Sequence, residues 1–332
     1  MINRKLNVAL IGCGEIAKVH SKVLSINKNV CLKWFVEVIN EKANLFSKLY
    51  GGKPISDYSS ILDDSNLDLV HICTPHSLHS KIAIDFLKKG KNVLVEKPIS
   101  ISLKEANKMI YLSDKNRSKL GAVLQHRYDN NVKLLFENIK YLGKIHFINS
   151  YLLCNRPKEY YSGWRGIKSY GDSLLINQFI HFMDIIQLIA GELVDVSGFI
   201  ENFSKKSIVE DSVSLSLKFK NDVFANIFIT SNSPYNFKYS IEVHGENGSI
   251  FLNGNSIKMV SNKKSFFSKK KFSSLFKFDN NIDLNKKYYG AGHYPLINNF
   301  IISILEDTKK YISAKDALPS LKISLLCYKK IK

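Results

Sequence analysis

Two groups of residues have the types and spacing to do chemistry. The first is Gly12-Cys13-Gly14-Glu15-Ile16-Ala17, a G-x-G-x-x-A pattern directly after the apolar run Asn7–Ile11. In such a turn the first glycine allows a tight bend and the second lets a pyrophosphate approach the backbone. The small third residue lets helix pack on strand. The anion then sits at a helix N-terminus, where free N–H groups and the dipole favour negative charge. Glu37, 23 residues beyond Gly14, ends the second apolar run. A carboxylate there accepts the 2′-hydroxyl of a ribose and repels a 2′-phosphate, which favours NAD over NADP; Lys33 and Lys42 nearby pull the other way. The second group lies on the almost wholly apolar stretch from Leu174 to Ile189, where Asn177, His181 and Asp184 fall at i, i+4 and i+7. On a helix they form one polar stripe. Buried without partners it would cost several kcal/mol, so it must face a polar cavity or a hydrogen-bond network. The plainer alternative is a satisfied core histidine with Asp184 anchoring the helix end.

The elements that position these groups change character along the chain. Up to residue 124, short Val/Ile/Leu-rich runs at Asn7–Ile11, Cys31–Val38, Leu69–Cys73, Asn92–Val95 and Leu120–Leu124 alternate with helical patterns near Ile16–Ser25, Glu41–Leu49, Leu78–Lys89 and Leu103–Ser113. Continuous apolar runs are expected of strands buried on both faces, so the alternation predicts an α/β doubly wound parallel sheet. Ser102 and Glu105 have the spacing of a capping box. Beyond a helix at Asn131–Lys140 come strand-like runs at Ile145–Cys154, Val194–Phe203, Ser212–Phe219, Val223–Thr230, Tyr239–His244 and Ser249–Leu252. Hairpin-like turns join several of them, predicting a mainly antiparallel open sheet. Helices at Leu174–Ala190, Leu296–Leu305 and Ala314–Tyr328 complete an α+β domain. The expected division is 1–124 for dinucleotide binding and 125–332 for substrate binding and oligomerisation.

Composition bounds the rest. A chain of 332 residues accommodates about two domains. With 45% hydrophobic and 23% charged residues it is neither disordered nor collagenous. Five scattered cysteines without a C-x-x-C pair indicate neither zinc nor a disulfide framework, and no metal is expected. The net charge of +19 is spread along the chain, densest from Lys258 to Lys277, which reads as a solvated loop or strand edge. No recognition motif accompanies it, so nucleic acid is not the expected partner. Arg4 and Lys5 before Leu10-Ile11-Gly12-Cys13 imitate a lipoprotein signal, but the apolar stretch is too short for one. No membrane insertion and a cytoplasmic location are expected.

More specific signals follow. His71-Ile72-Cys73-Thr74-Pro75, His79 and Val95-Glu96-Lys97-Pro98, with the glycine pattern, resemble the Gfo/Idh/MocA family of NAD(P)-dependent sugar and cyclitol oxidoreductases. Trp164-Arg165-Gly166, the stretch carrying Asn177, His181 and Asp184, and the closing Gly292-His293-Tyr294, Phe300 and Ile304 extend the likeness over nearly the whole chain. The resemblance implies a Rossmann domain and an NAD-dependent dehydrogenase acting on a CH–OH group. Lys97 takes the place of the family's catalytic-site lysine. Gly12, Gly14, Glu15, Ile16, Glu37, Thr74, Pro75, His79, Glu96, Lys97 and Arg127 are then expected at the cofactor. Lys97, Tyr161, Trp164, Arg165, Asn177, His181 and His293 are expected at the substrate, with Tyr160 beside them. Catalysis falls to His181 as base and Lys97 on the same oxygen. Two departures stand out. The family's glycine run is Gly171-Asp172-Ser173 here, and its D-x-x-x-H pair is Asn177-x-x-x-His181, which takes away an Asp–His relay. The N-Q-x-I-H-x-x-D form resembles members acting on other sugars, including nucleotide-linked UDP-N-acetyl sugars of polysaccharide assembly. The alternatives are an NAD-using hydrolase or lyase on the same fold, and a non-catalytic dinucleotide-binding regulator. Family members commonly pair through the open sheet, so a homodimer or homotetramer is expected.

Overall fold

The computed structural model describes residues 4–254, 256–261 and 292–331; Lys263 to Lys277 of the basic cluster lie outside them. The chain divides into two compact units. The first comprises Met1–Gln125 with Ser169–Gly171 and Ala291–Leu321. Its core is a six-stranded sheet of β1 (Leu6–Ile11), β2 (Val30–Val36), β3 (Lys53–Ile55), β4 (Leu69–Ile72), β5 (Asn92–Val95) and β6 (Leu120–Ala122). All pairs are parallel in the order β3-β2-β1-β4-β5-β6. That is the doubly wound dinucleotide-binding topology, whose switch point lies between β1 and β4. Val8, Leu10, Leu69, Ile72, Val93 and Val95 are fully buried, as runs covered on both faces require. The intervening helices are α1 (Glu15–Ser25), α2 (Asn40–Tyr50), α3 (His76–Lys88) and α4 (Leu103–Lys115). Ser102 caps α4 by accepting from Glu105 N at 3.4 Å. The box is only half built, because the Glu105 carboxylate instead accepts from Ser80 Oγ.

The chain order conceals one feature of this unit. The late helix α7 (His293–Leu305) packs on α1, and Phe300 lies against Gly121 of β6 so closely that a Cβ there would meet its ring at 2.7 Å. The expected second domain therefore lends residues 291–321 to the first unit, held by apolar contacts that sequence adjacency does not foretell.

The second unit carries a seven-stranded sheet of β7 (Ile145–Asn155), β8 (Leu193–Glu201), β9 (Ser212–Phe219), β10 (Phe224–Thr230), β11 (Asn232–Gly245), β12 (Gly248–Asn253) and β13 (Ser256–Ser261). The order is β13-β12-β11-β7-β10-β9-β8, antiparallel throughout except for the parallel pair β7–β10. Strict alternation along β9 and β10 turns Val213, Leu215, Leu217, Ala225, Ile227 and Ile229 inward. That face packs on α6 (Ile180–Ala190) and on Phe179 and Phe182, while α5 (Asn130–Asn138) adds Val132 and Leu135. Within 168–190 the chain has the length and mean hydropathy, 1.4, of a membrane span, yet 72% of that window is buried inside the protein. It is a core helix.

Candidate functional site

At the end of β1, Gly12 has φ +89° and a Cβ there would stand 2.6 Å from the Cys73 carbonyl oxygen, so this position demands glycine. Gly14 differs. Its φ is an ordinary −89°, and a Cβ would meet nothing within 4 Å. Nothing in the chain requires a glycine there; the open space matches a ligand lying against the backbone. Gly14 is the N-cap of α1 and supplies no side-chain acceptor, so the first-turn N–H groups face that space with the positive end of the dipole. Glu37 lies beside the turn, accepting from Cys13 N at 2.9 Å and Ile39 N at 3.2 Å. Burial, then the charge of Glu37, pushes the Cys13 thiol up to about 12, so it stays a neutral filler of the turn. Thr74, following β4, has a buried hydroxyl without a partner among the described residues. A cradle at Gly14, an uncapped helix start and an orphan hydroxyl at the switch point fit a dinucleotide pyrophosphate.

Two expected cofactor contacts point elsewhere. His79 is fully buried, its ring nitrogens 2.7 Å from Pro98 O and 2.9 Å from Thr74 O. It braces the loops after β4 and β5. Glu96 is also buried: Oε1 lies 3.0 Å from His20 Nε2 and 3.8 Å from His293 Nε2, and Oε2 accepts from Lys97 N at 3.1 Å. Burial alone would raise the Glu96 carboxyl, but the His20 hydrogen bond and the neighbouring His293 outweigh it and hold the group well below the ordinary carboxylate range. His293, expected at substrate, is 1% exposed and faces this carboxylate. The side chain is enclosed because α7 packs on α1.

In the second unit, the residues leading into α6 form a π-helical turn, Leu174–Phe179. Its wider winding breaks the i, i+4, i+7 register and gives the three polar residues different partners. Asn177 donates to Asp172 Oδ1 at 2.7 Å and to the Tyr160 hydroxyl at 3.3 Å. Asp184 takes a bidentate pair from Arg127, Nε to Oδ2 and a terminal nitrogen to Oδ1, both at 2.6 Å. Arg127, expected at the cofactor, therefore spends two donors on a carboxylate that is only 1% exposed. The His181 ring lies 4.8 Å from the His126 ring, whose Nδ1 donates to Asp129 Oδ2 at 2.6 Å. Asp172, which replaces a family glycine, accepts from Gly166 N at 2.6 Å and so ties the Trp164-Arg165-Gly166 segment to Asn177.

The aromatic cluster expected at substrate is assembled around Tyr160. Its hydroxyl accepts from Gln178 at 2.7 Å, and its ring centre lies 4.8 Å from the Arg156 guanidinium and 4.9 Å from that of Arg165. Arg165 also stacks on Trp164 at 4.8 Å, and its buried Nε has no partner among the described residues. Burial raises the Tyr160 hydroxyl, and Tyr161, bonded to Ser231 Oγ at 2.9 Å, is pushed up to about 12, so neither phenol is a base near neutral pH. The arrangement suits an anion: two guanidiniums held by aromatic faces, one with a donor to spare.

Several participants escape the sequence. His20 and His71 sit on buried faces as ordinary core residues, and only folding brings them to Glu96. Glu210 accepts from Leu174 N at 2.9 Å and from the Tyr328 hydroxyl, anchoring the motif helix from a loop with no periodicity to flag it. Arg156 and Gln178 carried a signal of a kind: polar groups flanking an aromatic pair and an apolar helix.

A doubly wound dinucleotide domain, a glycine cradle at its switch point and a separate sheet domain bearing a polar helix define a dehydrogenase that uses NAD. The chain belongs to the oxidoreductase family with an NAD-binding Rossmann fold, Gfo/Idh/MocA: that family's description matches residues 6–123 and its C-terminal domain matches residues 139–251. It is similar to the myo-inositol 2-dehydrogenase of Thermotoga maritima, 27% identical over 74% of this chain and 75% of that one. It is 28% identical to the glucose-6-phosphate 3-dehydrogenase of Bacillus subtilis over 72% and 71%. Among solved structures, the WlbA dehydrogenase of Bordetella pertussis, in complex with NADH and UDP-GlcNAcA, superposes with a TM-score of 0.87 at 23% identity, covering 99% of this chain and 96% of that one.

Proposed function

We propose that this chain oxidises a secondary hydroxyl of an anionic, nucleotide-linked sugar of the UDP-N-acetyl class, with NAD as the oxidant. The observation that carries the reading is the Arg156–Tyr160–Arg165 cluster, whose buried Arg165 Nε has no partner among the described residues, beside Asn177 at the start of the helix that bears His181. A carboxylate or phosphate on the sugar gives those guanidiniums a counter-charge. The likeness to a dehydrogenase bound to NADH and UDP-GlcNAcA supports the same substrate class.

In this reading NAD, held against Gly12, Gly14 and the α1 N-terminus, supplies the hydride acceptor. Glu37 accepts the adenosine ribose hydroxyl. His181 takes the proton of the substrate hydroxyl as its carbon loses hydride, the role of a general base. Lys97 donates to the same oxygen and stabilises the charge that develops there. Asn177 orients the sugar, since an amide can donate and accept but takes no proton. Asp184 neutralises Arg127 and sets its direction.

The test is NADH absorbance with UDP-GlcNAcA, UDP-N-acetylglucosamine, glucose 6-phosphate and myo-inositol. Turnover is expected to be fastest with UDP-GlcNAcA. Preference for uncharged myo-inositol would defeat the anionic assignment. Product formation without net NADH would place the chain with the NAD-using hydrolases or lyases.

A further inference from the structure

The first unit contains a buried polar chain that the chemistry above leaves unused. His71 on β4 places Nδ1 2.9 Å from Nδ1 of His20 on α1, and His20 Nε2 reaches Glu96 Oε1 at the end of β5. His293 on α7 approaches the same oxygen, and the other oxygen takes the backbone N–H of Lys97. All four side chains are buried. A carboxylate only accepts, so the proton lies on His20 Nε2. With His20 neutral, its Nδ1 is an acceptor, and His71 donates to it from Nδ1. The remaining nitrogen, His71 Nε2, has no partner among the described residues, in keeping with a bare lone pair. The directions are thus fixed from β4 through α1 to the residue before Lys97.

We propose that His20, Glu96 and His293 are positioning residues for Lys97, and that the Glu96 carboxylate joins the helix carrying the glycine cradle to the backbone of that lysine. The helix that starts at the pyrophosphate turn, the strand end that carries Thr74 and the strand end that carries Lys97 converge on one carboxyl group. Glu96 and His293 so act behind the site, through Lys97, and touch neither cofactor nor substrate. This rests on Lys97 acting at the reacting oxygen.

Two measurements on the full chain separate the inference from that reading. Nitrogen NMR of histidine-labelled protein at about pH 7 reports tautomers without any substrate. His20 protonated on Nε2 and His71 on Nδ1 is expected; the reverse assignment, or one equivalent of tightly held zinc at the His20–Glu96–His293 donors, which lie within 4.8 Å of one another, overturns the inference. Kinetics follow with His293→Leu and Glu96→Gln. A misplaced lysine predicts kcat lowered by about 10- to 100-fold, with NAD affinity and sugar KM within about 3-fold of the parent. His293→Gln, which keeps a donor near the Nε2 position, restores most of the loss. If His293→Leu does not fold, Glu96→Gln against His293→Gln carries the comparison. Unchanged kcat in the folded variants, or a loss wholly in NAD affinity, refutes the positioning role. A parent chain that oxidises no sugar defeats the reading of function and leaves the tautomers to decide the network.

Discussion

Single residues decide which dinucleotide enters and how closely it lies. Glu37 is bonded to the turn through Cys13 N, and we propose that its carboxylate meets the adenosine ribose and disfavours a 2′-phosphate. Glu37→Ser should weaken NAD and strengthen NADP, shifting their affinity ratio by about 10-fold or more, a reversal of order 1.4 kcal/mol. Calorimetric titration of both nucleotides checks it, and tighter NADP binding by the parent chain would contradict the assignment. Gly12 was legible in the sequence because turn geometry imposes a residue type at a fixed spacing, and Glu37 was legible as an acid that ends beside that turn. His293, Glu96, His79 and Arg127 were legible as polar residues of interest, but not in direction. A side chain's facing depends on packing partners far along the chain, as α7 on α1 encloses His293.

At the scale of elements, apolar runs located most strands and helices within one or two residues, because burial of one or both faces is written in the pattern. The exceptions have physical causes. β3 is only three residues, Lys53–Ile55, β13 is an edge strand with no buried residue, and β11 begins at Asn232, well before its apolar part. The π-helical turn before α6 was invisible, since its residues fit a 3.6 period by count while their partners do not. Glu210 holds that turn open at its start. Glu210→Ala removes the acceptor of the buried Leu174 N–H and one partner of the Tyr328 hydroxyl, and an orphaned buried donor costs about 1–3 kcal/mol. A denaturant titration should show that loss of stability, with Glu210→Gln recovering part of it. An unaltered midpoint would mean the helix start is held by Ser173 alone.

For the molecule as a whole, the outer face of the second sheet exposes Phe199, Phe224 and Phe228, at 73%, 50% and 45%. Exposed aromatic side chains on one solvent-facing sheet are the kind of patch that association covers. We propose a homodimer or homotetramer through it; light scattering at micromolar concentration should give at least twice the mass of one chain, and Phe199→Asp with Phe228→Asp should reduce it to one. Stability should also fall in mild acid. Burial, then the neighbouring His20, sets the His71 pKa well below its ordinary value, so the unfolded chain gains a proton below about pH 6.5 that the native chain refuses. The stability lost is up to about 1.4 kcal/mol per pH unit from this group as pH falls from that point. Urea midpoints at about pH 7.5 and 5.5 should separate in the parent and converge in His71→Asn, whose amide keeps the donor without the titration. Equal separation in both would assign the acid sensitivity elsewhere.

We propose that His181 accepts the proton and Lys97 stabilises the oxygen, on a dinucleotide fold that substitution of either leaves intact. The most direct measurement is the pH–rate profile of kcat/KM for the parent, His181→Ala and Lys97→Ala, with NAD affinity titrated alongside. General base catalysis is worth about 10²- to 10⁴-fold, so His181→Ala should lose that much in kcat and should lose the limb that marks the base. Lys97→Ala should lose at least about 10²-fold while keeping that limb, and NAD affinity should hold in both. Asn177→Ala should cost less than either. If Lys97→Ala removes the limb and His181→Ala keeps it, the two roles are exchanged. Near-parental turnover in both single variants would contradict the site itself.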